Sequence, residues 1–308
     1  MTDTRVEKFT RGEDLAVDLS AIEKELTSLW KAAQKGSGDG KAVATRACLW
    51  NLIVHSPGME ESEKLRTGLE AIYPTTPMRT LLLEVEGNVE PPLSAWVSAR
   101  CHLAGKGRVV CSEEVTIRCD THVTDRLGPL VNALQVPDVP AAAWWPDMDH
   151  DPTQMCAHFV ELVDRIVVDS STVPGARGLR QLLALTQLRH AKRSLFGDLS
   201  WHRIAPWRSL TARLFDAATQ ALATVERVEI RAVGRGGQPA GSQALLYGGW
   251  LASRLGWTAA DGGWTRPDGG RVTFSMDHGR GAGSHGDLLG VKLVGAGGEA
   301  YSLERDED

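Results

Sequence analysis

Two segments of alternating apolar and polar residues, separated by Gly105-Lys-Gly107, constrain the fold of this chain more than any other feature. In residues 94–103, small apolar side chains including Cys101 fall on one face. The other face carries Trp96, Ser98, Arg100 and His102. Residues 109–119 alternate in the same way. Because successive side chains of a strand point to opposite faces, the pattern predicts a β-hairpin.

Elements of both kinds flank the hairpin. Apolar runs predict strands at residues 47–54, 80–85, 139–145 and 165–169. Apolar residues at helical spacing predict helices at residues 18–34, 59–72, 121–134 and 153–163, the first capped by Asp18 or Ser20. Strands alternating with helices are typical of α/β folds. We therefore expect an N-terminal mixed-sheet α/β domain over residues 41–172, preceded by a helix and a Gly-rich linker in residues 1–40.

The second half of the chain is rich in glycine, with 19 of the 32 Gly residues between Gly234 and Gly298. Helices are predicted at residues 177–193, 206–223 and 243–255. Short strands are predicted at residues 225–233, 271–276, 288–294 and 300–303. This pattern predicts a C-terminal α+β domain over residues 173–308, an antiparallel sheet packed with helices. The expected fold class is α/β (α+β) with two domains, and their boundary is expected near residues 170–175.

Composition excludes several classes of protein. The chain has 308 residues and a formal net charge of −5, which argues against a wholly basic nucleic-acid binder. No apolar run reaches the roughly 18 residues that span a membrane, and the charged N-terminus carries no secretory signal. The five Cys residues form no Cys-x-x-Cys pair, which excludes a thiolate zinc site. We expect a cytoplasmic protein without a membrane partner.

Motifs for catalysis, cofactors or metals are weak. Gly281–Gly286 fits Gly-x-Gly-x-x-Gly, but the residues that follow alternate like a strand, whereas a dinucleotide fingerprint opens a helix. We interpret the motif as a hairpin loop. Asp147–Asp151 resembles part of a calcium loop, but Pro152 occupies the position that requires Gly. We therefore predict no catalytic residue, cofactor or metal, and a protein that is not an enzyme.

Cys101 and Cys111 are candidates for redox chemistry. Both fall on the apolar face of the predicted hairpin. If the turn centres on Lys106, they are cross-strand neighbours that could form a disulfide. A turn centred half a residue later would place Ser112 opposite Cys101. Alternatively, both are small buried apolar residues.

Positive charge is concentrated in residues 177–213, which contain eight Arg and Lys residues and a single acidic residue, Asp198. Trp201 and Trp207 lie within this segment. Basic residues interleaved with aromatics suit single-stranded nucleic acid, and they also suit a protein interface, where Trp and Arg are common anchors. A third interpretation is a solvated helical face with two core tryptophans.

Several segments together resemble the glucose-6-phosphate dehydrogenase assembly protein family, OpcA. They are residues 46–54 (RACLWNLIV), 143–146 (AWWP), 164–170 (DRIVVDS), 198–210 (DLSWHRIAPWRSL) and 249–257 (GWLASRLGW). Family members often carry His-Pro before the Arg of the second strand, whereas this chain has Thr76-Pro-Met-Arg79. The resemblance implies a non-catalytic accessory protein that binds glucose-6-phosphate dehydrogenase and promotes its active oligomer.

The candidate partner-binding residues are the tryptophans and arginines of two of these segments: Trp144, Trp145, Trp201, Arg203, Trp207 and Arg208. Alternation suggests that one of Trp144 and Trp145 faces inward and the other outward. Trp207 suits a core and an interface about equally. Two alternative functions stay open at this point. One is a regulatory module that binds a sugar phosphate or nucleotide, and the other is a single-stranded nucleic-acid binder that uses residues 177–213.

Overall fold

The computed structural model describes residues 6–11, 15–16, 18–36, 43–103, 108–148, 158–189, 195–234 and 241–306. The chain divides into two compact units. Unit 1 comprises residues 1–168 and 185–196, and unit 2 comprises residues 169–184 and 197–308. The change of unit at Asp169 lies close to the boundary expected near residues 170–175. The finer domain limits stay predictions.

A mixed sheet of ten strands dominates unit 1. Its strands are β1 (Val6–Arg11), β2 (Leu15–Ala16), β3 (Val43–Arg46), β4 (Trp50–Ser56), β5 (Met78–Glu86), β6 (Leu93–Leu103), β7 (Arg108–Asp120), β8 (Ala141–Trp145), β9 (Arg165–Val168) and β10 (Leu195–Asp198). The hydrogen-bonded order is β1-β6-β7-β5-β4-β8-β9-β10, with β2 beside β6 and β3 beside β7. From β7 through β5, β4 and β8 to β9, each strand pairs in parallel with the next, and such parallel pairing is typical of α/β sheets.

The predicted hairpin is confirmed. Strands β6 and β7 pair antiparallel, and Cys101 lies opposite Cys111. This pairing is the first of the two registers considered above, in which Cys101 and Cys111 are cross-strand neighbours. Residues 104–107 themselves lie outside the described part of the chain.

Three helices of unit 1 are α1 (Leu19–Gly36), α2 (Met59–Glu70) and α3 (Leu127–Leu134). The Asp18 carboxylate accepts a hydrogen bond from the Ser20 backbone N at 2.8 Å, so Asp18 caps α1. Of the apolar residues predicted to form one stripe on α1, Ile22, Leu26, Leu29 and Trp30 are buried, whereas Leu19 at the start of the helix is 41% exposed. Helix α2 instead buries Ser62 and Arg66 beside Leu69. Polar and charged residues are seldom buried on the face of a helix that packs on a sheet.

Unit 2 contains a six-stranded sheet in the order β12-β13-β14-β11-β15-β16. The strands are β11 (Val225–Val233), β12 (Thr258–Ala260), β13 (Gly263–Thr265), β14 (Arg271–Gly279), β15 (Leu288–Gly295) and β16 (Ala300–Glu304). The helices are α4 (Arg177–Arg189), which begins in this unit, α5 (Leu199–Arg203), α6 (Ala205–Leu214) and α7 (Ser242–Leu255). Helix α7 ends at Gly256, whose φ of 67° is the left-handed conformation that favours glycine at a helix end.

The prediction that the sheet of the second half is antiparallel is wrong for one pair of strands. Strand β14 runs parallel to β11, whereas β15 runs antiparallel to it. Helix α7 and the β12–β13 ribbon lie between β11 and β14 in the chain, and a connection of that length can return the chain in the same direction. Residues 281–286 therefore do not form a hairpin loop. They connect β14 and β15, which lie on either side of β11, and a strand follows them as predicted.

Helix ends differ from the predicted ones in several places. The predicted helix 121–134 divides into a 3-10 helix over residues 121–126 and α3, and the predicted helix 206–223 ends at Leu214 before a 3-10 helix over residues 219–224. Residues 37–40 of the predicted linker and 153–157 of the predicted helix 153–163 lie outside the described residues, as do residues 190–193 of the predicted helix 177–193.

Candidate functional site

A cluster of buried acidic and hydroxyl side chains fixes the start of helix α5 in unit 2. The Asp198 carboxylate accepts hydrogen bonds from the Ser200 backbone N at 3.1 Å, the Ser170 backbone N at 3.0 Å and the Ser170 hydroxyl at 2.7 Å. Asp198 is therefore the N-cap of α5. Burial raises the pKa of Asp198 above its usual value, although these hydrogen bonds oppose the change. The cluster holds a fixed backbone geometry at residues 198–200.

Arg203 is tied to the same cluster. Its two terminal nitrogens donate to the two carboxylate oxygens of Asp169 at 2.8 and 2.7 Å, a bidentate pair. Burial would raise the pKa of Asp169, but hydrogen bonds from Arg203 and Ser171 hold it below its usual value. The Arg203 side chain is nevertheless 42% exposed. The structure thus presents an oriented arginine at the surface whose charge is largely balanced.

Trp201 and Arg208 form a second pair on the two short helices. The Arg208 guanidinium carbon lies 3.6 Å from the centre of the Trp201 ring, well within the range of a cation–π contact. One terminal nitrogen also donates to the Trp201 carbonyl at 3.3 Å. Burial, with Arg254 nearby, lowers the pKa of Arg208. Both residues are partly buried, so each keeps some surface in contact with solvent.

An exposed ridge runs along helix α6 beside these pairs. Three of the exposed residues of α6 lie at the i, i+4 and i+7 positions of one helix face. They are Pro206, Leu210 and Arg213. Leu210 is 46% exposed, which is high for a leucine. We call these three residues the Leu210 ridge.

Two of the predicted contact residues lie in hydrophobic cores. Trp207 is 7% exposed and packs with Ile204 and Tyr247 in the core of unit 2. Trp145 is 1% exposed and stacks on His55, with ring centres 4.5 Å apart. Because neither ring reaches the surface, we do not retain these two tryptophans as contact residues.

Trp144 is partly buried and packs against a core cluster that contains Val54 and Tyr73. Its indole N–H has no hydrogen-bond partner among the described residues. Partner binding by Trp144, Trp201, Arg203 and Arg208 stays a prediction.

Cys101 and Cys111 are joined by a disulfide. Both are buried and pack with Trp30 and Val109. The disulfide interpretation of the hairpin thus agrees with the structure, whereas a redox function of the pair stays a prediction. Cys119 is a free thiol, and burial beside Asp120 raises its pKa to about 11, which makes it unreactive.

Sequence reasoning missed a cluster of buried charges in unit 1. The Arg66 guanidinium donates to Glu114 at 2.8 Å and lies 3.4 Å from Glu84, which in turn pairs with Arg118 at 3.2 Å. On the opposite face of the sheet, Arg79 pairs with Glu113 at 2.8 Å. Polar residues at alternate positions of the hairpin were the available signal, but alternation does not reveal that a polar face is buried.

Within the described ranges, no group of three or more His, Cys, Asp or Glu side chains could hold a metal ion. Asp149–Asp151 of the acidic segment lie outside those ranges. None of the helices in the described parts of the chain is long and apolar enough to cross a membrane.

Comparison with known proteins covers both units. Residues 70–186 match the family model described as the glucose-6-phosphate dehydrogenase subunit N-terminal domain, and residues 195–308 match the corresponding C-terminal domain. A solved structure of GenD2 from gentamicin A biosynthesis aligns with 84% of this chain and 73% of its own at 13% identity, but its TM-score of 0.43 is too low to support an inference.

Curated relatives agree with the family models. The OxPP cycle protein OpcA of Synechocystis sp. (strain PCC 6803) is 32% identical over 203 residues, which is 65% of this chain and 41% of that protein. The OxPP cycle protein OpcA of Synechococcus elongatus (strain PCC 7942) is 30% identical over 211 residues, 67% of this chain and 46% of that protein. The chain spans less than half the length of these relatives. By its two matched domains and these relatives, the chain belongs to the OpcA family.

Proposed function

We propose that this chain is a non-catalytic, cytoplasmic accessory protein that binds glucose-6-phosphate dehydrogenase and promotes its active oligomer in the oxidative pentose phosphate pathway. The observation that carries the proposal is the match to both family models, which are described as domains of a subunit of that dehydrogenase. The relatives named as OxPP cycle proteins support the same pathway.

The surface of α5 and α6 is the contact region that we propose for the dehydrogenase. It combines an apolar contact at Leu210 with the Arg213 cation and with the Trp201–Arg208 pair. Tryptophan and arginine are enriched among the residues that dominate binding energy at protein interfaces. The Asp169–Arg203 pair and the Asp198 cap hold this surface rigid before binding, which lowers the entropy lost on association.

Activation would follow from linkage. A partner that binds the active oligomer more tightly than the inactive form shifts the equilibrium by the ratio of the two affinities. A coupling of about 1–3 kcal/mol would change the apparent substrate affinity by roughly 5–150-fold. No catalytic group from this chain is required in such a mechanism.

The test is the initial rate of the cognate dehydrogenase across glucose 6-phosphate concentrations, with and without an equimolar amount of this chain. We expect a lower half-saturation concentration or a higher rate, together with co-elution on size exclusion. Leu210→Glu should weaken both effects at least tenfold, because it places a charge in an apolar contact. An unchanged dehydrogenase and no co-elution would refute the proposal.

Leu49→Glu is the matched control for that variant. Leu49 is 54% exposed and lies in unit 1, far in sequence from the Leu210 ridge. The same substitution there should leave activation intact. If both variants lose activation equally, the contact region is not the surface of α5 and α6.

The alternative ligands of residues 177–213 remain predictions, and the geometry gives them less support. Arg203 is paired with Asp169, and Arg208 lies over the Trp201 ring, so at least two of the eight cations already have partners. Phosphate binding by either would have to compete with these contacts. We therefore place the protein partner first.

A further inference from the structure

A cavity of about 310 Å³ lies on one face of the unit 1 sheet, beside helix α2. Strands β5, β6 and β7 contribute its floor, and α2 contributes its wall. The lining consists of Met59, Glu63, Arg66, Thr67, Glu70, Glu84, Trp96, Ser98, Arg100, Glu114 and Arg118. Its volume is at the lower end of small-molecule sites, which suits a ligand the size of a monosaccharide.

The deep end of this cavity is polar and buried. Glu84 is fully buried, Glu114 and Ser98 are 1% exposed, and Arg66 is 7% exposed. The rim is formed by Met59, Glu63 and Thr67, which are exposed on α2, so a ligand can enter from solvent. Charges in such a place are costly to bury, and apolar residues of similar size would pack at least as well. Compared with apolar residues of the same size, these buried charged residues therefore add a rigid polar lining to the cavity.

The charges of the lining are paired. Arg66 contacts Glu114 and Glu84, and Arg118 contacts Glu84. Arg100 contacts Glu70 at 2.5 Å. The lining thus contains three arginines and four glutamates, so it carries no excess of positive charge. An anion such as a phosphate would meet buried carboxylates and would have to break existing ion pairs.

One polar group at the deep end lacks a partner. The Ser98 hydroxyl is buried and has no hydrogen-bond partner within the described residues. Buried hydroxyls in folded proteins are nearly always hydrogen-bonded, and an unsatisfied one is costly. Because Ser98 lines the cavity, a molecule inside the cavity can supply that partner.

The hydrogen-bonding groups of the lining favour a ligand that carries hydroxyl groups. Carboxylates accept and guanidinium groups donate, so adjacent pairs of the two match hydroxyls that do both. Trp96 adds an aromatic surface, with the Arg118 guanidinium carbon 5.2 Å from its ring centre. We propose that this cavity binds an uncharged, polyhydroxylated small molecule of monosaccharide size. This inference uses none of the residues of the Leu210 ridge and is independent of the dehydrogenase partner.

The experiment is isothermal titration calorimetry of the full chain with D-glucose and myo-inositol, and with glucose 6-phosphate and glucosamine as charged probes. We expect saturable binding of at least one neutral compound at millimolar concentration, at least about tenfold tighter than glucose 6-phosphate. No saturable binding of either neutral compound would overturn the proposal. Tighter binding of a charged probe would also overturn it.

Ser98→Ala tests the site itself. Losing one hydrogen bond of about 1 kcal/mol should weaken binding about fivefold. Ser112→Ala is the matched control, since Ser112 is also 1% exposed on the adjacent strand but does not line the cavity, and its hydroxyl accepts a bond from the Met78 backbone N. Equal weakening in both variants would refute the assignment. Thr67→Trp at the exposed rim should block binding without disturbing the core, and its failure to do so would refute the assignment as well.

Discussion

Replacing Arg66 by Met tests whether the buried ion pairs of unit 1 hold its sheet and α2 together. The Arg66 side chain is 8% exposed, and the side chains of its two buried partners, Glu84 and Glu114, are 1% and 2% exposed. The variant leaves the Glu114 carboxylate buried without a cation, whereas Glu84 keeps Arg118 at 3.2 Å. Removing one partner of a buried pair costs about 3–5 kcal/mol. Since one of the two carboxylates stays paired, we expect a loss of about 3 kcal/mol.

The assay is equilibrium urea denaturation followed by circular dichroism. Lys64→Met on the same helix is the control, because Lys64 makes solvent-exposed ion pairs with Glu60 and Glu61 and its loss should not change stability measurably. Adding Glu114→Met to Arg66→Met should recover at least half of the loss, since the unpaired charge is then removed. A loss below about 1 kcal/mol for Arg66→Met would show that solvent reaches the pair and would refute the reasoning.

Two further predictions concern the same sheet. Cys101 and Cys111 should resist alkylation in denatured, unreduced protein and react after reduction, as intact mass would show; labelling without reductant would contradict the disulfide. Burial lowers the pKa of His102, with Glu70 opposing and Arg100 adding to the change, so the unfolded chain binds the proton more readily. Stability should therefore be level above about pH 6.5 and decrease below it, and His102→Gln should reduce that slope in urea titrations between pH 5 and 8. An unchanged slope would show that another group is responsible.

Local patterns predicted the elements well because they depend on neighbours in the chain. The alternation of residues 94–103 and 109–119 predicted both strands but left two registers open, and only the structure shows that Cys111, not Ser112, lies opposite Cys101. The strand at residues 225–233 was predicted to the residue. Its position between β14 and β15, one parallel and one antiparallel, was not, since a period of two gives the faces of a strand and not its neighbours.

The buried charges could not be found from local patterns. Arg66 contacts Glu114 across 48 residues of chain, and Arg79 contacts Glu113 across 34. Each residue alone suggests a solvated position. Their burial depends on where α1 and α2 pack on the sheet. The local sequence around each charged residue does not encode that packing.

The charge environment of residues 177–213 also depends on residues that are distant in the sequence, and this affects which partner the surface suits. Residues 177–213 carry one acid among eight bases, which suggests a surface that binds through its charge. In the fold, Asp169 from outside the segment neutralises Arg203, while Arg254, also from outside, adds positive charge near Arg208. Linear charge therefore does not measure the potential that a partner meets. What distinguishes this surface is the combination of an exposed Leu210 with an aromatic–arginine pair on a rigidly capped helix, and such a surface favours a protein partner over a phosphate backbone.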